Sequence, residues 1–232
     1  MLYFTGDTHG NFSSLSQRIL GIPSRQTSTL IICGDFGFIW NGSQEEQEML
    51  DRLNAYGIQL LFVDGNHENF QLLEKFPQEQ WCGGMTHRIR SNIRHLMRGQ
   101  VFEIAHKKVF TFGGGVSADK RNRVPMVSWW PQENPSTRDY QCAETALSQH
   151  EQIDYIVSHV PPLEAYQSLR LEPAGDAAIA GYLQRIRRKY PAAIWCCGHL
   201  HLDQWATHNT LILEETVFSQ NPQEISPAAN RR

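Results

Sequence analysis

Asp7 and His9 stand two residues apart in "GDTHG", directly after the apolar run "MLYFT". The same juxtaposition recurs along the chain. "TLIIC" runs into "GDFG" with Asp35, and "QLLFVD" into "GNHE" with Asn66 and His67. "DYIV" runs into "SHVPP" with His159, and "AAIWCC" into "GHLH" with His199 and His201. The set holds two carboxylates, one amide and five imidazoles, with no thiolate. Oxygen and imidazole donors of this kind suit Mn, Fe, Zn or Co better than a structural zinc site. Eight side chains exceed what one ion uses. The number fits two divalent ions roughly 3.5–4 Å apart that share one carboxylate.

Taken singly, each motif has an ordinary explanation. "GD" or "GNH" after a strand is usually a turn, "HLH" can be an exposed alternation, and the histidine of "SHVPP" can bond a backbone carbonyl. What changes the reading is that all five follow a short apolar run rich in Ile, Val, Phe or Trp, too short for a helix. "KVFTF" is a sixth such run. In open α/β sheets the carboxyl ends of the strands are where ligands bind. Four of the five loops place Gly directly before the polar residue, which permits positive φ and close backbone approach.

Helical patterns separate the strands. "SQEEQEMLDRLNAYG" carries Ser43 with Glu46 three residues on, a capping-box spacing, and Gly57 as a stop. "GDAAIAGYLQRIRRKYP" places Ile179, Leu183 and Ile186 on one face and ends before Pro191. "STRDYQCAETALSQHEQ" is a third helix. The stretch from Gln80 to Val109 reads as hairpin strands, and "HLDQWATHNTLILEE" as another β pair. Alternation of this sort predicts an α/β fold. We expect one domain over residues 1–218 and a polar, flexible tail over 219–232.

The 232 residues suffice for a substantial core without disulfide or metal support. A net charge of −3 gives no global field that recruits nucleic acid or an anionic membrane. No apolar run approaches a membrane span, and no secretory leader is evident. Five irregularly spaced cysteines argue against a disulfide framework and for the cytoplasm. Cys33, Cys196 and Cys197 read as small buried strand residues. "RIRRK" (185–189) reads as a solvated helix face, and Arg88, Arg90, Arg94 and Arg98 as a solvated hairpin rather than a nucleic-acid contact.

The ordered series "GDTHG", "GDFG", "GNHE", "SHVPP", "GHLH" resembles the calcineurin-like metallophosphoesterase superfamily, and the "WWP" segment (129–131) is similar to that of small bacterial and phage members. The resemblance implies a four-layer αββα sandwich, two mixed β-sheets face to face with helices outside. It implies one divalent ion on Asp7, His9, Asp35 and His201, and a second on Asp35, Asn66, His159 and His199, with Asp35 as the bridge. Mn is the leading metal, with Fe, Zn, Co or Ni as alternatives. His67 matches the family's catalytic histidine, which is not a ligand.

That chemistry is hydrolysis of a phosphate mono- or diester. Paired cations neutralise phosphate oxygens and bring a bridging water toward ionisation at neutral pH, for in-line attack on phosphorus. His67 then protonates the leaving oxygen. A silent scaffold of the same fold, or a nuclease, are the competing readings; the first lacks the catalytic histidine that is present here, and the charge does not favour the second. The protein phosphatase branch reads "GDxxDRG" at the second motif, where this chain has "GDFGFIW". Phe38 stands in place of the Asp that orients the catalytic histidine in that branch, and no phosphate-holding Arg follows. Glu68 could orient His67 instead, or start the next helix. The long segment "GGGVSADKRNRVPMVSWWPQENPS" offers Arg121 or Arg123 as phosphate clamps, and a tryptophan that could stack on a substrate ring.

Overall fold

Successive side chains of a strand point to opposite faces, so a continuous apolar run needs cover on both sides. The computed structural model describes residues 1–219 and supplies that cover. The first half of the chain runs β1 (Leu2–Thr5), α1 (Phe12–Leu20), β2 (Thr29–Ile32), α2 (Gln44–Ala55), β3 (Gln59–Phe62), α3 (Phe70–Leu73), β4 (Gln78–Trp81), β5 (Gly84–Arg88) and β6 (Ile93–Leu96). The second half runs β7 (Gln100–Ile104), β8 (Lys107–Phe112), α4 (Thr137–Ser148), β9 (Tyr155–Ser158), α5 (Leu163–Leu169), α6 (Ala177–Lys189), β10 (Ile194–Cys197), β11 (Gln204–Thr207) and β12 (Thr210–Ile212).

Two mixed six-stranded sheets result, ordered β1-β2-β3-β6-β5-β4 and β11-β12-β10-β9-β8-β7. In the first, β1, β2, β3 and β6 are parallel, and β5 and β4 return antiparallel. In the second, β12, β10, β9 and β8 are parallel, with β11 and β7 antiparallel at the edges. The expected α/β sandwich is the observed one.

Alternation sorts each strand between two cores. Leu2, Phe4, Ile31, Leu61, Tyr155, Val157 and Cys196 share the layer between the sheets. Tyr3, Leu30, Ile32, Leu60 and Phe62 face outward to Leu15 and Ile19 of α1 and Leu50 and Leu53 of α2. Ile156, Trp195 and Cys197 face outward to Leu147 of α4 and Ile179, Leu183 and Ile186 of α6. Cys33, Cys196 and Cys197 are buried free thiols, as their strand positions imply.

Several local expectations change. The Gln80–Val109 stretch does form hairpins, but β4–β6 belong to the first sheet and β7–β8 to the second, so the chain changes sheets there. Arg187 of "RIRRK" is buried and bonds Asn209 and the Pro191 carbonyl, because α6 packs that turn against the sheet. Arg88, Arg90, Arg94 and Arg98 are not a free basic set either. They pair with Glu79, Asp51, Glu79 and Asp64 respectively. Of the tail expected over 219–232, only Ser219 falls within the described residues, and it is buried.

Ser43 caps α2 by accepting from the Glu46 N–H at 3.3 Å. Glu46 does not close the reciprocal box. Its carboxylate reaches further back, to the N–H groups of Trp40 (3.1 Å), Asn41 (2.9 Å) and Gly42 (2.7 Å). The reciprocal box occurs on α4, between Ser136 and Asp139. Because Glu46 organises the whole turn ahead of α2, Glu46→Ala should lower stability by about 2–3 kcal/mol in urea unfolding. Glu45→Ala, at an exposed position one residue away, should stay within about 0.5 kcal/mol of wild type.

Candidate metal centre

Parallel strands in near-level register release their loops at one edge. Thr5 pairs with Ile32 and Ile32 with Phe62 in the first sheet, and Cys196 with Val157 in the second. The loops after β1, β2, β3, β9 and β10 therefore meet at the seam between the sheets, and all eight sequence-predicted residues are there.

Backbone bonds lock the first two loops together. The Asp35 carbonyl accepts the N–H groups of Thr8 (3.1 Å) and His9 (2.8 Å), and the Phe36 carbonyl accepts that of Gly10. His9, Asp35, His199 and His201 sit at φ of 44°, 48°, 68° and 52°, the left-handed region that costs a non-glycine residue about 1 kcal/mol or more. Half the set is held in strained backbone by its surroundings. The glycine ahead of a site residue leaves room for a residue from another loop. A Cβ on Gly34 would overlap the His159 ring, and one on Gly198 the Asp7 carboxylate.

Two donor groups form. Asp7, His9 and His201 each bring one donor atom to within 4.8 Å of the others. His201 Nε2 faces Asp7 Oδ2 at 3.7 Å, while His201 Nδ1 donates to Glu214 at 3.1 Å. His9 Nδ1 lies 3.8 Å from Asp35 Oδ2. The second group centres on His159 Nε2, with Asn66 Oδ1 at 3.0 Å, His199 Nδ1 at 3.2 Å and Asp35 Oδ1 at 3.6 Å. His159 Nδ1 donates to the Cys33 carbonyl (3.0 Å), and His199 Nε2 donates to Asp176 (2.7 Å).

These outer bonds decide which atoms look inward. With their hydrogens directed at the Cys33 carbonyl and Asp176, His159 turns the lone pair of Nε2 toward Asn66 Oδ1, and His199 turns that of Nδ1 toward His159 Nε2. Three acceptors meet within about one hydrogen-bond length with no hydrogen among them. Burial holds His159 down at about 4, so it is neutral near pH 7. The acids are equally uneasy. Burial and the charge of Asp35 push the Asp7 carboxyl well up, while Asp35, itself pushed up by burial, is brought below its usual value by His159, His67 and His9. A cation satisfies all of these groups at once, so the donor set fits divalent metal.

His67 borders the cluster. Its N–H donates to Asp35 Oδ1 at 2.8 Å, its ring meets His9 edge-on at 5.3 Å, and its Nε2 lies 3.4 Å from the Arg123 guanidinium. Arg123 is steadied by Asp119 (2.7 Å) and the Ser128 carbonyl (3.1 Å). Burial, then Arg123 and His9, lower the His67 pKa against the opposing charge of Asp35. Arg121 is exposed and lines a cavity of about 720 Å³ that opens over Asp35, Asn66, His67, His199 and His201. Trp130 does not face substrate. It is buried, with its ring edge-on to Trp40 at 5.2 Å. Glu68 neither orients His67 nor caps a helix. It is buried and accepts the Phe36 N–H at 2.7 Å, fixing the second loop, while Asn69 caps α3. Phe38 lies in the outer core against Phe36, so nothing at that position reaches the site.

Sequence reasoning missed the outer partners. Asp176, which directly precedes α6, was assigned no role. Glu214 follows β12, which runs parallel to β10, so extending the strand-end rule to "LILEE" would have found it. Arg18 of α1 clamps the Asp7 and Glu214 carbonyls at 3.3 and 2.7 Å. Asp64, directly before "GNHE", receives two bonds from Arg98 and one from His95 at 3.1 Å.

This sandwich, with its histidines and carboxylates at the shared strand-end edge, defines a calcineurin-like phosphoesterase. The chain belongs to that family, whose model matches residues 2–203. No curated protein matches it. Among solved structures it is similar to one from Staphylococcus aureus named "Putative 5'-Nucleotidase", in complex with alpha-ketoglutarate. That likeness has 14% identity and a TM-score of 0.45, over 97% of this chain and 51% of the other. The chain thus spans about half the length of that structure, and the likeness is too distant to bear on substrate.

The Asp64 anchor ends in a buried histidine pair. Gln78 donates to His87 Nε2 (3.3 Å), His87 Nδ1 bonds His95 Nδ1 (3.0 Å), and His95 Nε2 donates to Asp64. Burial, then His95, lowers the His87 pKa to about 4. A histidine depressed from its unfolded value of about 6.5 stabilises the fold fully above that value and loses the contribution as pH falls toward 4. His87→Gln should therefore flatten the fall of urea-unfolding stability between pH 6.5 and 4. The wild-type slope should exceed the variant's by up to about 1.4 kcal/mol per pH unit, the value for one proton.

Proposed function

We propose that this protein hydrolyses a phosphate mono- or diester with two divalent cations. One would be held by Asp7, His9, Asp35 and His201, the other by Asp35, Asn66, His159 and His199, with Asp35 shared. The observation that carries this is the meeting of His159 Nε2, Asn66 Oδ1 and His199 Nδ1 within 3.2 Å of the central atom, beside two buried carboxylates. Imidazole, amide and carboxylate donors without thiolate favour Mn, with Fe, Zn, Co or Ni as alternatives. When bound, such ions supply neutralisation of phosphoryl oxygens and a lowered pKa for water.

The chain's own groups do the rest. Arg123 lies 3.4 Å from His67 Nε2, from where it would offer a phosphoryl oxygen a charge-assisted bond. Arg121 and Lys120 line the cavity. In the free protein His67 is neutral. A phosphate dianion in contact with both His67 and Arg123 would offset the guanidinium and favour a proton on Nε2, which His67 then gives to the leaving oxygen. A cavity of this volume takes a small phosphoester. A polymeric nucleic acid is not favoured, since the hairpin arginines are engaged in ion pairs. No helix among the described residues is long and apolar enough to cross a membrane. A reducing compartment, the cytoplasm, accords with the five free thiols.

His67→Ala should cut kcat on a nitrophenyl phosphate ester by about 10²–10⁴-fold while bound Mn²⁺ stays near two per chain. Activity that survives the change would remove the assigned role. Arg123→Met should lower kcat/KM for a monoester dianion by roughly 10–100-fold and for a diester by clearly less. Equal losses on both substrates would mean that Arg123 serves the loop and not the phosphate.

A further inference from the structure

The "WWPQE" segment buries Trp130 and ends in Glu133, a fully buried acid. Its carboxylate accepts both hydrogens of Ser117, from N–H at 3.0 Å and from the hydroxyl at 2.5 Å. The Glu133 carbonyl accepts the Gly115 N–H at 3.1 Å and the Arg98 guanidinium at 3.2 Å. Ser117 Oγ, its hydrogen committed to Glu133, accepts from Asn66 Nδ2 at 3.2 Å. The polarity of this chain of bonds is set at its far end, because a carboxylate only accepts.

An asparagine amide has two orientations of nearly equal shape and opposite chemistry. As placed, Asn66 turns Oδ1 to His159 Nε2 and adds a third acceptor to the second donor group. Flipped, it would turn Nδ2 inward, donate to His159 Nε2, and satisfy that lone pair without any ion. We infer that Glu133, acting through Ser117, is a positioning residue that fixes the Asn66 amide with its oxygen inward and so keeps the second position competent for a cation. This rests on reading Asn66 as a ligand of the second ion. The inference gives the long segment between the third and fourth motifs a structural duty next to its cations.

Glu133→Gln is the discriminating change. A glutamine amide donates to Ser117 Oγ, frees the hydroxyl hydrogen to point at Asn66, and favours the flipped amide. Calorimetric titration of the metal-free protein with Mn²⁺ should show two binding steps for wild type. In E133Q one step should persist and the other weaken by roughly 10–100-fold, the usual scale for loss of an outer-shell partner. Ser117→Ala breaks the same chain without touching Glu133. It should give the same selective loss, and it carries the test if E133Q does not fold. The double variant should lose no more than either single one, since all act through one amide. A loss shared equally by both steps, an unchanged second step, or additive losses in the double variant would overturn the inference. If wild type shows two steps and both variants keep them, only this inference falls. If wild type shows one step, the two-ion reading fails and the inference falls with it.

Discussion

Hydrogen-bond acceptors that face one another inside a protein repel, and each buried acceptor left without a donor costs about 1–3 kcal/mol. At the seam of the two sheets, His159 Nε2, Asn66 Oδ1 and His199 Nδ1 are nevertheless pressed together, beside Asp7 and Asp35. Each is aimed inward because its other end is committed. Cys33, Asp176 and Ser117 hold the outer atoms. Much of the surrounding structure can be understood as what is required to keep this unfavourable arrangement from relaxing.

The restraint is distributed. Four site residues occupy left-handed backbone, and small residues vacate the volume that ligands from other loops enter. The level register of β1, β2 and β3 sets three loops at one height, and the core between the sheets sets the distance to the loops of β9 and β10. Glu46 and Asp64 are buried acids that each accept from several N–H or guanidinium donors at a loop base, and buried Glu68 holds the Phe36 N–H of the second loop. The strain at the centre is thus opposed by well-bonded acids one layer out, which is how a binding site stays open instead of collapsing onto itself.

Legibility in the sequence followed the range of each interaction. Strands buried on both faces are short apolar runs, and the residues that follow them are consecutive in the chain, so the α/β alternation and all eight central residues could be read directly, while the two-sheet sandwich was implied by the resemblance of the motif series. Helices α1, α3 and α5 were not read. Two of them are short, with four and seven residues, and α1 buries only Leu15, Ser16 and Ile19. The outer partners depend on pairings that sequence does not display. His87 meets His95 only because β5 and β6 pair in that register. Arg98 and Arg187 read as solvated because nothing local shows that Asp64 and Asn209 will receive them.

The departure at Phe38 then has a physical counterpart. With that side chain in the outer core, the second motif can contribute Asp35 but no group beside His67. The guanidinium at His67 comes instead from Arg123, on the segment between β8 and α4, held by Asp119 and Ser128. The same segment, sixteen residues earlier than Glu133, contributes Ser117 to Asn66, so one stretch of chain touches both the ring at the cavity and the amide behind it. A change in how this segment packs would move the cation at His67 and the orientation of Asn66 together. The guanidinium beside His67 and the second donor group are joined through this one segment, which a loop confined to the cavity mouth would not achieve.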